Sequence, residues 1–396
     1  VALWGPEAGA RLGRALMSGP TLRRIPLFDL HYGEEEERAV LNTLRSGWVS
    51  MGPNVRSLEE AFVERLGAAH AVATTNCTAA LHLALQVLGV GPGDEVIVPS
   101  LTFVATANVV LYVGATPVFA DITSLDDFSI DPEDVEAKIT DATKAIVVMH
   151  YGGFPCDMDR ICHIARARGL AVVEDAAHAP CSHYRDRCAG TLGDIGCFSF
   201  FSNKNITCGE GGLLVTSHDK YAAQARLLRS HGMTAVSYDR ARGHATGYDV
   251  VGLGYNYRMD DVRGALALAQ LARLDDDCRR RQELRACYLR NLSPLAERLI
   301  VPYEGFPHRS SNYIFPVVLR NGEYDERNKV RSKLAEAGIQ TSVHYPAVHV
   351  MSLYARYGAA LPKTEYVSGN EITLPLYYRL LESDIERITH TLKKVL

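Results

Sequence analysis

The chain has 396 residues, 47% hydrophobic and 22% charged, with a formal charge of −4 and a pI near 6.4. That balance offers no basic surface for nucleic acid, and no apolar run is long enough to cross a membrane. The nine cysteines are odd in number and scattered, which argues for reduced thiols in a cytoplasm rather than a disulfide framework.

Residues 1–24 are rich in Gly, Ala and Arg and lack the apolar core of a signal peptide. They predict a flexible tail, with Met17 a candidate natural start. From Ile25 the pattern is structured. Amphipathic spacing predicts helices over 34–44 and 55–66, joined by a loop that contains Trp48. A regular alternation follows. Strands are expected over 71–75, 95–99, 116–121, 144–150, 170–175, 194–201 and 212–216. Helices are expected over 78–88, 102–113, 131–139, 157–168 and 219–230. Such alternation implies right-handed crossovers and a mostly parallel sheet covered on both faces. Ligands of such sheets sit beyond the carboxyl ends of the strands. After Tyr257 the pattern changes to one long helix over 260–288, a strand over 313–319, a helix over 325–337, a strand over 339–344 and a last helix from Glu382. The expected division is a large α/β domain over residues 25–259 and a smaller α+β domain over residues 260–396.

Three stretches carry chemistry. Thr74-Thr75-Asn76-Cys77-Thr78 reads as a strand, a polar turn and a helix start. Free N–H groups and the helix dipole make such a start either an anion site or an ordinary capped end. No glycine-rich dinucleotide fingerprint and no Walker-type lysine occur, which disfavours NAD or ATP. Val172-Val173-Glu174-Asp175 ends a buried strand on an acid, which needs a cation or donor as partner. A protonated heterocyclic nitrogen is one such partner, and a helix cap is the plainer alternative. Cys197 to Ser202 reads as an apolar strand running into a polar loop with Lys204. Partial desolvation there favours the free amine that condenses with an aldehyde, and a solvated loop lysine is the plainer alternative. Phe103 either stacks on a flat ring or joins the core. Cys181, Cys188 and Cys197 lie close in sequence, but no Cys-x-x-Cys pair occurs and no metal site is expected. A phosphate cradle, an aromatic, a strand-end acid and a strand-end lysine together suit pyridoxal 5′-phosphate (PLP).

From Ile25 onward the chain resembles the DegT/DnrJ/EryC1/StrS sugar aminotransferases, which are fold type I PLP enzymes. The matching motifs are Thr78-Ala79-Ala80-Leu81-His82-Leu83-Ala84-Leu85, Gly91-Pro92-Gly93-Asp94-Glu95, Glu174-Asp175-Ala176-Ala177-His178, Phe198-Ser199-Phe200-Phe201-Ser202-Asn203-Lys204, Gly209-Glu210-Gly211-Gly212 and Gly254-Tyr255-Asn256-Tyr257-Arg258-Met259. One departure is Arg263-Gly264-Ala265, where the family often has Gln-Ala-Ala.

The resemblance implies a large domain with a mostly parallel sheet of the seven-stranded type and a smaller C-terminal α+β domain. It implies that Lys204 is the Schiff-base lysine and Asp175 the partner of the pyridine nitrogen. Phe103 would lie against the ring and His178 near the ring hydroxyl. Cys77, Thr78 and Ser199 would hold the phosphate. Asn256 would reach the phosphate of a neighbouring subunit, which implies a homodimer with shared sites. His344 and Tyr345 would line the sugar pocket, with Trp48 in the corresponding N-terminal loop. The implied reaction is transfer of an amino group from glutamate to a nucleotide-linked keto sugar. Phe200-Phe201-Ser202-Asn203-Lys204-Asn205-Ile206-Thr207 and Arg229-Ser230-His231-Gly232 look more like 4-amino-forming members, with thymidine-diphosphate-4-keto-6-deoxyglucose the favoured substrate. A 3-keto sugar or a cyclitol ketone is the alternative. A dehydratase, expected to carry histidine in place of Lys204, and a non-catalytic regulator are less favoured.

Overall fold

The computed structural model describes residues 23–234, 247–320, 322 and 324–396. The expected tail lies outside the described residues up to position 22. The strands are β1 (His70–Thr74), β2 (Glu95–Pro99), β3 (Thr116–Ala120), β4 (Thr143–Met149), β5 (Ala171–Asp175), β6 (His183–Tyr184), β7 (Arg187–Cys188), β8 (Ile195–Ser199), β9 (Gly212–Thr216), β10 (Leu299–Ile300), β11 (Phe315–Leu319) and β12 (Glu371–Leu374).

Seven of them form one sheet in the order β1-β9-β8-β5-β4-β2-β3. β2, β3, β4, β5 and β8 pair in parallel, and β9 runs antiparallel to both β1 and β8. The cause lies in the strand compositions. Val96, Ile97, Val98, Val147, Val148, Val172 and Val173 are all buried, as strands covered on both faces require. Helix Cys77–Val87 covers one face and buries every residue from Ala79 to Leu85. Helix Pro53–Leu66 covers the other through Phe62, whose ring lies 5.8 Å from Phe198 and 5.4 Å from Phe200. Gly212 is required where β9 begins, because a Cβ there would stand 2.5 Å from the Cys77 nitrogen.

A second sheet, β10-β11-β12, is antiparallel and has its own core of Tyr288, Phe315, Val317, Ile372 and Ile388. Ile25 belongs to that core, while Ala267 and Leu271 pack beneath the large sheet.

Three expectations are corrected. The single helix over 260–288 is two helices, Asp261–Leu271 and Leu274–Leu292. The break falls at Arg273 (φ −105, ψ 1), whose guanidinium meets buried Glu36 at 2.7 Å. Apolar spacing runs on across it, since Leu271 and Leu274 are both buried, so periodicity alone conceals the break. The strand over 339–344 does not form. Its backbone makes isolated bridges at Ile339 and Ser342, and the N–H of His344 goes to a Glu371 side chain. β11 pairs with β10 and β12, neither of which was anticipated, nor was helix Pro362–Asn370 before β12. Finally, Cys181 and Cys278 form a disulfide, so the nine thiols are not all free. The two are 97 residues apart, and only tertiary packing brings them together.

Among the described residues no helix is long and apolar enough to cross a membrane.

Candidate active site

The carboxyl ends of β1, β4, β5 and β8 open into a cavity of about 400 Å³. Met149 ends β4, Asp175 ends β5 and Ser199 ends β8, and parallel register aligns Met149, Asp175 and Cys197. Cys77, Thr78, Phe103, Asp175, His178, Ser199, Lys204, His344 and Tyr345 all line this cavity. Nine of the eleven residues singled out from the sequence therefore meet at one place.

Lys204 lies five residues beyond the end of β8, its backbone N–H bonded to the carbonyl of Phe201 at 2.9 Å. Its Nζ stands 4.1 Å above the ring of Tyr313. Burial pushes the amine down to about 7, opposed by the nearby charges of Asp175 and Cys77. Near neutral pH a large share of it is free amine.

Asp175 is pushed up by burial, opposed by its donors and by Lys204. Thr106 donates to Oδ2 at 2.8 Å and the N–H of Ala177 to Oδ1 at 3.2 Å. The preceding residue behaves differently, because successive side chains on a strand face opposite ways. Glu174 accepts from Nε2 of His150 at 2.8 Å and from the N–H groups of Gly190 (2.7 Å), Leu192 (2.6 Å) and Gly193 (2.6 Å). Glu174 is saturated and structural, whereas Asp175 keeps acceptor capacity towards the cavity.

The helix that follows β1 is capped by Asn76, whose side chain accepts from the N–H of Ala79 at 2.9 Å. The N–H groups of Cys77 and Thr78 precede any intrahelical partner, so with the Ser199 hydroxyl they form an anion cradle.

His178 is held as a neutral ring. Its Nδ1 accepts from the N–H of Gly152 at 3.2 Å, so the hydrogen is on Nε2 and faces Tyr345 Oη at 3.0 Å. Burial, then the charges of Lys204 and His344, hold its pKa well below the usual value. Phe103 is 54% exposed on the cavity wall, which leaves a ring face free for a flat ligand.

Two of the expected residues lie elsewhere. Asn256 is exposed and pairs with Ser230, outside the cavity of its own chain. Trp48 donates to the carbonyl of Met51 at 3.2 Å and packs against Gly52, also outside it. Two residues were missed. Tyr313 reads only as the start of a strand, and Thr106 only as part of a helix; their partners lie 109 and 69 positions away in sequence, and nothing local signals them.

A partly neutral lysine can condense with an aldehyde, a buried carboxylate can hold a proton on a heterocyclic nitrogen, and a helix start can hold a phosphate. The donor set therefore fits PLP. The comparisons agree. SpsC, a spore coat polysaccharide biosynthesis protein of Bacillus subtilis (strain 168), is 39% identical over 370 residues, covering 92% of this chain and 95% of that protein. The PLP form of Spr1654 from Streptococcus pneumoniae superposes with a TM-score of 0.87 at 32% identity, over 94% of this chain and 100% of that one. The sugar aminotransferase CalS13 from Micromonospora echinospora gives 0.85 at 30% identity, over 93% and 99%. Since the family model also matches residues 31–393, the chain belongs to the DegT/DnrJ/EryC1/StrS aminotransferase family and is a PLP-dependent sugar aminotransferase.

Proposed function

We propose that the enzyme aminates a nucleotide-linked 4-keto-6-deoxy sugar, with thymidine-diphosphate-4-keto-6-deoxyglucose as the favoured substrate and glutamate as the amino donor. The observation that carries this reading is the meeting of Lys204 and Asp175 with His344 and Tyr345 on one cavity. The first pair supplies transamination chemistry. The second adds polar groups able to orient a hydroxylated ring. The resemblance of the Lys204 loop and of Arg229-Ser230-His231-Gly232 to 4-amino-forming enzymes selects the position.

PLP, when bound, supplies an aldehyde for the amino group and an electron sink for the carbon that loses its proton. The residues of this chain do the rest. Lys204 would take a proton on Nζ from the α-carbon of the amino donor in one half of the cycle and give one to the amine-bearing carbon of the sugar in the other, a task suited to an amine poised near 7. Asp175 holds the proton of the ring nitrogen, and Thr106 and the N–H of Ala177 keep its carboxylate ionised and oriented. The N–H groups of Cys77 and Thr78 and the Ser199 hydroxyl bind the phosphate. His178 would stand near the ring hydroxyl and Phe103 against the ring face.

Asn256 completes the phosphate site of a second copy, so the working unit is a homodimer with shared sites. Its exposure outside its own cavity supports that role. Trp48, in the N-terminal loop, would contact the sugar.

The deciding experiment incubates the holoenzyme with glutamate and a panel of nucleotide keto sugars and locates the new amine by NMR. A 4-amino product is expected; a 3-amino product, or amination of free cyclitol ketones only, overturns the substrate reading. Mixing Lys204→Ala with an inactive Asn256→Ala chain under subunit exchange tests sharing. Activity should return in heterodimers, and its absence in proven heterodimers removes Asn256 from the partner's site.

A further inference from the structure

Glu371 opens β12 and is fully buried. Its Oε2 accepts from the backbone N–H of His344 at 2.8 Å, and its Oε1 from the hydroxyl of Thr373. The same hydroxyl lies 2.8 Å from Nδ1 of His344. An unbroken hydrogen-bonded chain therefore runs from a buried carboxyl, through one hydroxyl, to an imidazole on the cavity wall. The hydroxyl of Tyr151 donates to the His344 carbonyl and holds the backbone in place.

A hydroxyl has one hydrogen and two lone pairs, so this chain has two complete arrangements. With Glu371 ionised, Thr373 donates to it and accepts the hydrogen of Nδ1, and Nε2 presents a lone pair. With Glu371 protonated, the carboxyl donates to Thr373, Thr373 donates to Nδ1, and Nε2 carries the hydrogen. Passing between the two moves one proton between the carboxyl and the cavity without a lasting imidazolium. That matters because His344 is poorly placed to hold a charge of its own.

We propose that Glu371, Thr373 and His344 form a proton relay that delivers a proton from Nε2 of His344 to the carbonyl oxygen of the keto substrate. The role assigned to the substrate rests on the keto-sugar reading above. In the forward step the Glu371 O–H breaks as a new Thr373 O–H forms. The old Thr373 O–H breaks as Nδ1–H forms, and Nε2–H breaks as the substrate O–H forms. The amine that adds to the carbonyl carbon brings two hydrogens: as the C–O bond breaks, one leaves with the oxygen as water, and the other returns to Nε2 and re-forms the Glu371 O–H through the same hydrogen bonds in reverse. No oxidant or reductant is consumed. His344 is the catalytic residue here, and Thr373 and Glu371 are positioning residues that act through it.

The surroundings favour both arrangements within reach of neutral pH. Burial raises Glu371 to about 8, opposed by Thr373, by the His344 N–H and by the charges of Arg327 and Arg331. Burial and then the charge of Lys204 push His344 down to about 3. The titratable groups facing the His344 residue are Lys204, His178, Tyr313, Tyr345 and Tyr151, and those facing Glu371 are Arg327, Arg331, Tyr151 and Tyr345.

The test is a pH titration of the holoenzyme labelled with ¹⁵N-histidine, with the His344 signals assigned by His344→Gln. The ring should carry its hydrogen on Nε2 at pH 6 and on Nδ1 at pH 9.5. In Glu371→Gln the switch should vanish. A ring with the same tautomer at both pH values, or a switch that survives in Glu371→Gln, overturns the relay. This readout needs no substrate, so it stands even if no keto sugar is turned over. With an accepted keto sugar, Thr373→Val should lower kcat by about a hundredfold while KM changes by less than about threefold, and Thr373→Ser should restore most of the loss. If Thr373→Val fails to bind PLP, the comparison of wild type with Thr373→Ser and Glu371→Gln still decides. A wild-type kcat in Glu371→Gln overturns the proposal.

Discussion

The two walls of the cavity are built by different means. On the large-sheet side, Met149, Asp175 and Ser199 stand at the ends of parallel strands, held by the backbone ladder itself. On the opposite side, His344 and Tyr345 stand on irregular backbone, held by buried polar side chains: Glu371, Thr373, Tyr151 and His178. A ladder positions a side chain through many equivalent bonds, so one substitution leaves the backbone where it was. A side-chain network has few bonds, and leaving one buried partner unsatisfied costs about 1–3 kcal/mol. The first wall is therefore expected to respond to substitution in chemistry with its geometry kept, and the second in geometry and protonation together.

The largest expected effect lies on the ladder wall. Asp175→Asn should keep its place beside Thr106 and still bind PLP, as read by absorbance. It should lose transamination by about a hundredfold or more, equivalent to about 3 kcal/mol of transition-state stabilisation. Near-normal turnover at full cofactor occupancy would remove the carboxylate from the mechanism. A smaller effect is expected one step back. Thr106→Val deletes a 2.8 Å donor to Asp175 and should cost about tenfold in kcat/KM, about 1.4 kcal/mol, close to the lower end for a hydrogen bond to a charged group. Thr106→Ser should recover it; a Thr106→Val enzyme with unchanged kcat/KM would show that the strand end alone orients the carboxylate.

The subtlest expectation separates the walls by the sign of their pH dependence. Lys204 titrates near 7 when folded and at about 10.5 when unfolded. Between those values the unfolded chain binds more protons, so this group makes stability rise with pH. Glu371 is raised from 4.5 to about 8, so between those values the folded chain binds more protons and stability falls as pH rises. Urea denaturation of the apoenzyme across pH 4.5 to 10.5 should therefore show a gentler rise above pH 7 in Lys204→Met and a gentler fall below pH 8 in Glu371→Gln. Slopes identical to wild type in either variant would mean that group is not desolvated as its burial implies.

The same division separates what was legible in the sequence from what was not. The seven strands of the large sheet were all anticipated to within a few residues, because continuous Val and Ile runs bounded by turn residues are a local signal. Their alternation with helices led to the parallel sheet, and the parallel sheet to a site at its carboxyl ends. Lys204 and Asp175 were singled out by their strand-end positions taken together with their company on one sheet and the family resemblance. Glu174 could not be told from Asp175 in the same way. Only the ladder shows that one faces three backbone donors and a histidine while the other faces the cavity.

Local sequence thus determined the alternation, the large sheet and which residues stand at its strand ends, since apolar runs and turn residues act over a few positions. Tertiary structure decided the rest. It broke the helix at Arg273, joined Cys181 to Cys278 and placed Tyr313 beneath Lys204. It also turned an expected strand at 339–344 into the irregular segment that carries His344. Each of these depends on partners far apart in the chain. Glu371 meets His344 across 27 residues and Tyr151 meets it across 193, so no local window contains the contact that sets the conformation.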